Sequence, residues 1–281
     1  MPVVSAALTD LGLRRAANED SYVLRPGLGL YAVCDGMGGH AAGEIASRVA
    51  ADTIEAFIQH TDGASAGFTW PFAFNPDWGT SGNRLVSALL LANRAIAQRV
   101  IDEPALRGMA TTAVCLLLGI RDSGLGSGAA TGASPIPNPQ SPIPGTVPAL
   151  FAHVGDSRAY LWRGGELDQI TRDHSWVEEQ ITLGVLSETE ARHHPWRNLV
   201  TRALAGADEP RVELTPLTLE PGDRVLLCSD GLTSPLTNGA IAEILSRAPA
   251  GRPEELCQAL VDAANNAGGP DNVTVIVVEV S

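Results

Sequence analysis

Four aspartates carry the chemistry open to this chain. Three stand where short apolar runs end: residues 30–34 (Leu-Tyr-Ala-Val-Cys) lead into Asp35-Gly36, residues 150–154 into Gly155-Asp156-Ser157, and residues 225–228 into Ser229-Asp230-Gly231. The fourth, in Asp271-Asn272, directly precedes the apolar run 273–278. Runs of this length and composition, bounded by turn residues, read as strands. A carboxylate at the end of a buried strand lies close to its neighbours and is partly shielded from water. Several such anions repel one another, and burying each alone is costly. Mg²⁺ and Mn²⁺ remove that cost, because hard divalent cations prefer carboxylate and carbonyl oxygens. Taken singly, Asp-Gly and Asp-Ser are ordinary turn punctuation. Four of them, each joined to a strongly apolar strand, read together as a metal site.

The elements that must position these residues follow from periodicity. A helical stripe runs over 39–60, and a second over 85–100 is ended by Pro104. Residues 109–120 read as one long strand. Residues 158–163 and 166–171 around Gly164-Gly165 predict a hairpin, as do 212–219 and 224–228 around Glu220-Pro221-Gly222-Asp223. Ser175 with Glu178 has capping-box spacing, so a helix is expected from there to about 183. Further helices are expected near 239–247 and 253–266, and a strand over 273–280 closes the chain. Hairpin-linked strands with paired helices predict an α+β fold, not alternating βαβ units.

With 281 residues and 44% apolar content, and without an internal repeat, a single domain over 1–281 is expected. Two stretches interrupt it. Residues 121–148 are rich in Gly, Ser, Ala and Pro and read as a low-complexity insertion. Residues 67–82 hold Phe68, Trp70, Phe72, Phe74 and Trp78, five of the thirteen aromatics. Either they pack over the paired helices or they form a partner-docking loop.

Composition excludes much. A net charge of −13 argues against nucleic acid as a partner. All 19 basic residues are arginine, which removes Walker P-loops, protein-kinase chemistry, Schiff-base enzymes and Ser-Lys hydrolases. Cys34, Cys115, Cys228 and Cys257 form no CxxC pair, so buried thiols in a cytoplasmic protein are expected. No apolar stretch is long enough to span a bilayer, and residues 1–5 do not open a secretory leader, so no membrane association is expected.

Five segments share an order with a known family: Gly12-Leu13-Arg14-Arg15-Ala16-Ala17-Asn18-Glu19-Asp20, Asp35-Gly36-Met37-Gly38-Gly39, Gly155-Asp156-Ser157-Arg158, Ser229-Asp230-Gly231 and Gly268-Gly269-Pro270-Asp271-Asn272. They resemble the motifs of the metal-dependent (type 2C, PPM) serine/threonine protein phosphatases, bacterial branch, from about Thr9 to the C-terminus. Asp173-His174-Ser175 and residues 198–204 agree as well. The resemblance implies a β-sandwich of two mostly antiparallel sheets flanked by pairs of helices, with two Mn²⁺ or Mg²⁺ ions in a cleft at one end. By position, Asp35 would bridge both ions and the Gly36 carbonyl would join one of them. Asp230 and Asp271 would hold the other, while Asp20 and Glu19 support bound waters and Asn272 lies behind Asp271. Asp156 with Asp230 matches a third, weaker cation position. Arg15, five residues before Asp20, matches the phosphate-binding place, with Arg14 as its rival. The implied reaction is hydrolysis of phosphoserine and phosphothreonine esters on proteins, reversing the action of a serine/threonine kinase on its substrates.

The chain departs from the pattern at Met37, where many relatives carry a histidine thought to protonate the leaving alkoxide. His40 and a cation-bound water are the alternatives. Ala110 stands where glycine is common, before Thr111-Thr112, and His193-His194 fall in the stretch where relatives have a flap. Three rival readings remain. Cys115 and Arg121 have the C-x5-R spacing of cysteine-dependent phosphatases, but Leu116, Leu117, Leu118 and Ile120 lie between them where an anion nest needs small residues. A non-catalytic phosphoprotein-binding module should have lost some of these carboxylates. The same metal centre could also act on small phosphate esters.

Overall fold

Strands that are apolar on both faces must be covered on both sides, and this chain covers them in four layers. The computed structural model describes residues 2–38, 42–63, 68–119, 145–206, 208–247 and 250–281. In chain order these form β1 (Val3–Asp10), β2 (Asp20–Arg25), β3 (Leu30–Met37), α1 (Ala42–His60), α2 (Gly79–Asp102), β4 (Ala110–Thr111), β5 (Ala113–Leu118), β6 (Val147–Val154), β7 (Arg158–Arg163) and β8 (Glu166–Gln169). There follow α3 (Trp176–Thr182), α4 (Glu188–His193), β9 (Glu213–Leu219), β10 (Arg224–Cys228), α5 (Asp230–Thr233), α6 (Asn238–Arg247), α7 (Pro253–Asn266) and β11 (Val273–Val280).

One sheet runs β1-β11-β10-β7-β8 and the other β2-β3-β5-β6-β9, with β4 pairing to β3. Every strand pair is antiparallel. Alternation along each strand assigns the layers. In β3, Tyr31 and Val33 join the inter-sheet core with Leu161, Val225, Leu227 and Ile276, while Ala32 and Cys34 face α1 and α2. In β10, Leu226 and Cys228 face α6 and α7. The expected α+β sandwich flanked by helix pairs is therefore present, and the aspartates lie where its buried strands end. No helix among the described residues is long and apolar enough to cross a membrane.

Several expectations need correction. β9 and β10 do not form a hairpin: β9 pairs with β6, whereas β10 lies between β11 and β7. The turn at 220–223 carries the chain from one sheet to the other. It is pinned by Gly222 N–H on the Val280 carbonyl (2.8 Å) and by Arg163 on Asp223 (2.5 Å). A turn signal specifies reversal, not which sheet receives the next strand. The strand expected over 109–120 is broken at Thr112, whose backbone N–H donates to the Asp35 carbonyl.

Regular elements overlap the ends of both low-periodicity stretches. α2 begins at Gly79, and β6 already includes Val147 and Pro148; residues 121–144 lie outside the described residues. Ring contacts tie part of 68–78 to the helices: Phe68 lies 6.3 Å from Phe57 of α1, and Arg94 of α2 stacks 4.1 Å over Phe72. On α1 the fully buried seam is made largely of small residues (Ala42, Ala46, Ser47, Ala50, Ala51) with Ile54 and Ile58. The larger Ile45, Val49 and Phe57 pack at its margin.

Candidate active site

Pairing between β2 and β3 sets Asp20 directly opposite Asp35. The Asp35 backbone is fully engaged. Its carbonyl accepts from Thr112 N–H (2.9 Å) and from Thr111 Oγ1 (2.8 Å), and its N–H donates to Thr112 Oγ1 (3.2 Å). Its carboxylate receives the Asp230 N–H at 3.4 Å, from the first residue of α5. The Gly36 N–H donates to the Glu19 carbonyl (3.1 Å), joining the start of β2 to the end of β3.

The buried Asp20 faces inward. Its Oδ2 accepts from Ser229 Oγ (2.8 Å) and Thr274 Oγ1 (2.7 Å), so one carboxylate on the edge strand β2 of one sheet reaches across to the segments of the other sheet that adjoin Asp230 and Asp271. Asn272 ties down the loop before β2. Its Nδ2 donates to the carbonyls of Leu11 (2.9 Å) and Ala17 (3.0 Å), and its Oδ1 accepts from Glu19 N–H (2.8 Å). That loop delivers Arg15, whose Nη2 lies 2.5 Å from Asp271 Oδ2. On the far side, Thr112 Oγ1 lies 2.6 Å from Ser157 Oγ, joining the Asp156 turn to the Asp35 strand.

The electrostatics follow from this crowding. Burial, then the charges of Asp20, Asp230, Asp156 and Asp271, push the Asp35 carboxyl well above the usual carboxylate range. Burial is also the largest cause for Asp20 and Asp156, each raised to about 7, and for Asp230, raised to about 6 beside Asp271. Glu19 is raised by burial, against the opposing pull of Arg15. Acids that resist ionisation together are a site awaiting positive charge. The donors are all oxygens, which fits Mg²⁺ or Mn²⁺ and not a thiolate-ligated metal.

The sequence-predicted residues Arg15, Glu19, Asp20, Asp35, Gly36, Asp156, Asp230, Asp271 and Asn272 thus converge from five separate segments. Arg15, not Arg14, is the arginine paired with an active-site carboxylate. Met37 is half-buried at the end of β3 and pairs with the buried Ala110, while His40 lies outside the described residues. His193 is exposed and His194 half-buried, its ring stacked 4.8 Å from Trp176. Cys115 is fully buried in β5, and burial pushes its thiol up to about 12, which removes the cysteine-nucleophile reading. Sequence reasoning missed the hydroxyls of Ser157, Ser229 and Thr274. Each adjoins an aspartate motif or its strand, but a serine or threonine has no distinguishing spacing of its own.

A carboxylate rim at one end of an α-β-β-α sandwich, with an arginine over it and no lysine in the chain, defines a metallophosphatase architecture. The chain belongs to the PPM (type 2C) serine/threonine protein phosphatases. It is 39% identical over 277 residues to serine/threonine protein phosphatase PstP of Mycobacterium tuberculosis, covering 98% of this chain but 44% of that protein, so it spans less than half of that relative. It is 35% identical over 278 residues to protein phosphatase PhpP of Streptococcus pneumoniae, covering 98% and 96% of the two chains. Among solved structures, M. tuberculosis PstP superposes with a TM-score of 0.75 at 36% identity over 99% of each chain. The PstP catalytic domain in complex with two manganese ions gives 0.71 at 36% identity, over 99% of this chain and 97% of that one. A family profile described as Stage II sporulation protein E (SpoIIE) matches residues 149–281.

The turn after Asp230 leaves no room for a side chain. A Cβ on Gly231 would lie 1.9 Å from the Asn272 carbonyl oxygen, a backbone atom that cannot swing aside. Gly231→Ala is expected to destabilise the protein by about 1–3 kcal/mol through overpacking. It should also weaken Mn²⁺ binding, since the strain falls between Asp230 and Asp271. Thermal unfolding and a Mn²⁺ titration check both; an unchanged melting temperature would contradict the contact.

Proposed function

We propose that this protein hydrolyses phosphoserine and phosphothreonine monoesters on protein substrates, using water activated by divalent cations, in the cytoplasm and opposite a serine/threonine kinase. The chain is proposed to act as one phosphatase domain. The observation that carries the reading is the convergence of Asp20, Asp35, Asp156 and Asp230, all resisting ionisation, on one rim beside the Arg15–Asp271 pair.

Asp35, the Gly36 carbonyl, Asp230 and Asp271 would hold two divalent cations, Mn²⁺ or Mg²⁺. Asp156 with Asp230 is assigned to a third, weaker position. Asp20 supports from behind: both hydroxyls on its Oδ2 belong to the segments carrying Asp230 and Asp271, so it sets their spacing. Glu19 and Asn272 hold the Arg15 loop against Asp271. When bound, paired divalent cations lower the pKa of water to near neutrality and clamp an in-line displacement at phosphorus. Arg15 supplies a planar fork for two phosphoryl oxygens and stabilises the charge that builds on them. Its partner Asp271 keeps it at the rim until substrate arrives. Met37 has no proton to give the leaving alkoxide.

Purified protein assayed on a phosphothreonine peptide and on p-nitrophenyl phosphate, with Mn²⁺, Mg²⁺ or a chelator, tests the reading. Hydrolysis of the peptide that requires a divalent cation and stops on chelation is expected. Peptide hydrolysis that survives chelation overturns the reaction type. Turnover of the small ester alone overturns the protein substrate.

A further inference from the structure

The Gly155-Asp156 turn is held from two sides. In front, Gly155 presses on Thr112. Its φ is +112°, and an added Cβ would lie 2.5 Å from the Thr112 Cβ, so the turn is pressed against the residue that bonds the Asp35 backbone. Behind it stands the buried His174. Gly155 N–H donates to His174 Nδ1 (3.0 Å) and His174 N–H donates to the Gly155 carbonyl (2.9 Å). His174 is itself braced. Its ring stacks 4.6 Å from His153, its Nε2 faces Glu213 Oε1 at 3.2 Å, and its carbonyl accepts from Thr201 N–H (2.8 Å). The neighbouring Asp173 is locked by a forked pair from Arg158 (2.8 and 2.7 Å).

The atoms of His153, His174 and Glu213 lie within 4.8 Å of one another, close enough for a metal ion. Their protons say otherwise. Gly155 N–H occupies the Nδ1 lone pair, so a neutral His174 ring carries its proton on Nε2, the atom that would have to ligate. Arg202 already pairs with the same Glu213 oxygen at 2.9 Å. The trio is therefore a brace, and what it braces is a single turn.

We propose that His174 is a positioning residue: its Nδ1, by accepting from the Gly155 N–H, holds Asp156 at the rim and so sets the affinity of the third, weaker cation position. The proposal rests on the assignment of Asp156 made above. Groups that orient a metal ligand from behind typically change metal affinity by about 10–100-fold.

Two variants separate the acceptor from bulk. In His174→Asn the side-chain oxygen can take the place of Nδ1, whereas in His174→Gln the amide reaches further out and leaves Gly155 N–H without its partner. Mn²⁺ binding is read from the free-ion electron paramagnetic resonance signal, with Asp156→Ala alongside. The wild type is expected to bind two cations tightly and a third weakly. Asp156→Ala should lose the third, His174→Gln should weaken it by about 10–100-fold with the tight pair unchanged, and His174→Asn should stay near wild type. A wild-type third affinity in His174→Gln, with Asp156→Ala having lost it, overturns the role of His174. Equal loss in both His174 variants overturns the Nδ1 contact as its cause. If Asp156→Ala still binds three cations, the assignment of Asp156 falls and takes this proposal with it.

Discussion

Replacing Asp230 by Asn is expected to lower Mn²⁺-supported hydrolysis of a phosphothreonine peptide by more than about a hundredfold, since disturbing a mere support of a metal ligand already costs 10–100-fold. The substitution keeps the size of the side chain and removes its charge. The backbone geometry of the site does not depend on that carboxylate: Asp230 N–H reaches Asp35 Oδ2, Ser234 N–H reaches the Asp230 carbonyl, and Ser229 holds Asp20. The fold should therefore survive. Loss of one anion also relieves repulsion, because Asp230 raises the carboxyls of Asp20, Asp35 and Asp156. The chelated variant should accordingly melt at or above the wild-type temperature while binding fewer cations. Activity within tenfold of wild type at saturating Mn²⁺ would remove Asp230 from the metal centre, and a lowered melting temperature would mean that it serves the fold instead.

That separation was only partly visible in the sequence. The apolar runs before Asp35, Asp156 and Asp230 marked them as strand-end carboxylates, and the sandwich layers explain why those runs are unbroken: Tyr31 and Val33 face one layer, Ala32 and Cys34 the other. β1 and β2 had no such signal. β2 reads Asp-Ser-Tyr-Val-Leu-Arg and is an edge strand, so it needs no continuous apolar run. The buried seam of α1 is hard to read from sequence for a related reason. Close helix approach uses Ala46, Ala50 and Ala51, which carry little hydrophobic weight in a periodicity count.

The polar supports were the least legible. Carboxylates look alike in a sequence, and nothing local to Asp20 announces the two hydroxyls that converge on its Oδ2. The break at Thr112 was hidden in the same way. Its side chain and backbone replace ladder bonds with bonds to Asp35, a long-range partner that no local pattern specifies.

The same crowding makes stability depend on cations and on pH in opposite senses. Chelated protein is expected to melt at a higher temperature at pH 5.5 than at pH 8, and saturating Mn²⁺ to reverse that order. An acid whose pKa is higher folded than unfolded takes up a proton on folding. Its contribution is complete below the unfolded value of 3.8 and is lost as pH rises through the folded value, about 6 for Asp230 and about 7 for Asp20 and Asp156. For the buried Asp20 the change between pH 8 and 5.5 is on the order of 2 kcal/mol. Two imidazoles act the other way: burial lowers His153 and brings His174 down to about 4, so each resists charging as pH falls below 6.5. For His174 the cost is about 1.4 kcal/mol one pH unit below that value. Four carboxyls including Asp35 outweigh two imidazoles, which fixes the sign. Cations bind the ionised carboxylates, so their stabilisation grows with pH. A single site filled to 100 times its Kd contributes about 2.7 kcal/mol, or roughly 5–10 °C in a chain of this size. Calorimetric melting at the two pH values, with Mn²⁺ and with chelator, reads all four states. A chelated melting temperature that climbs steadily from pH 5.5 to 8 would show that these carboxylates do not crowd one another, and the cation-binding rim would lose its physical basis.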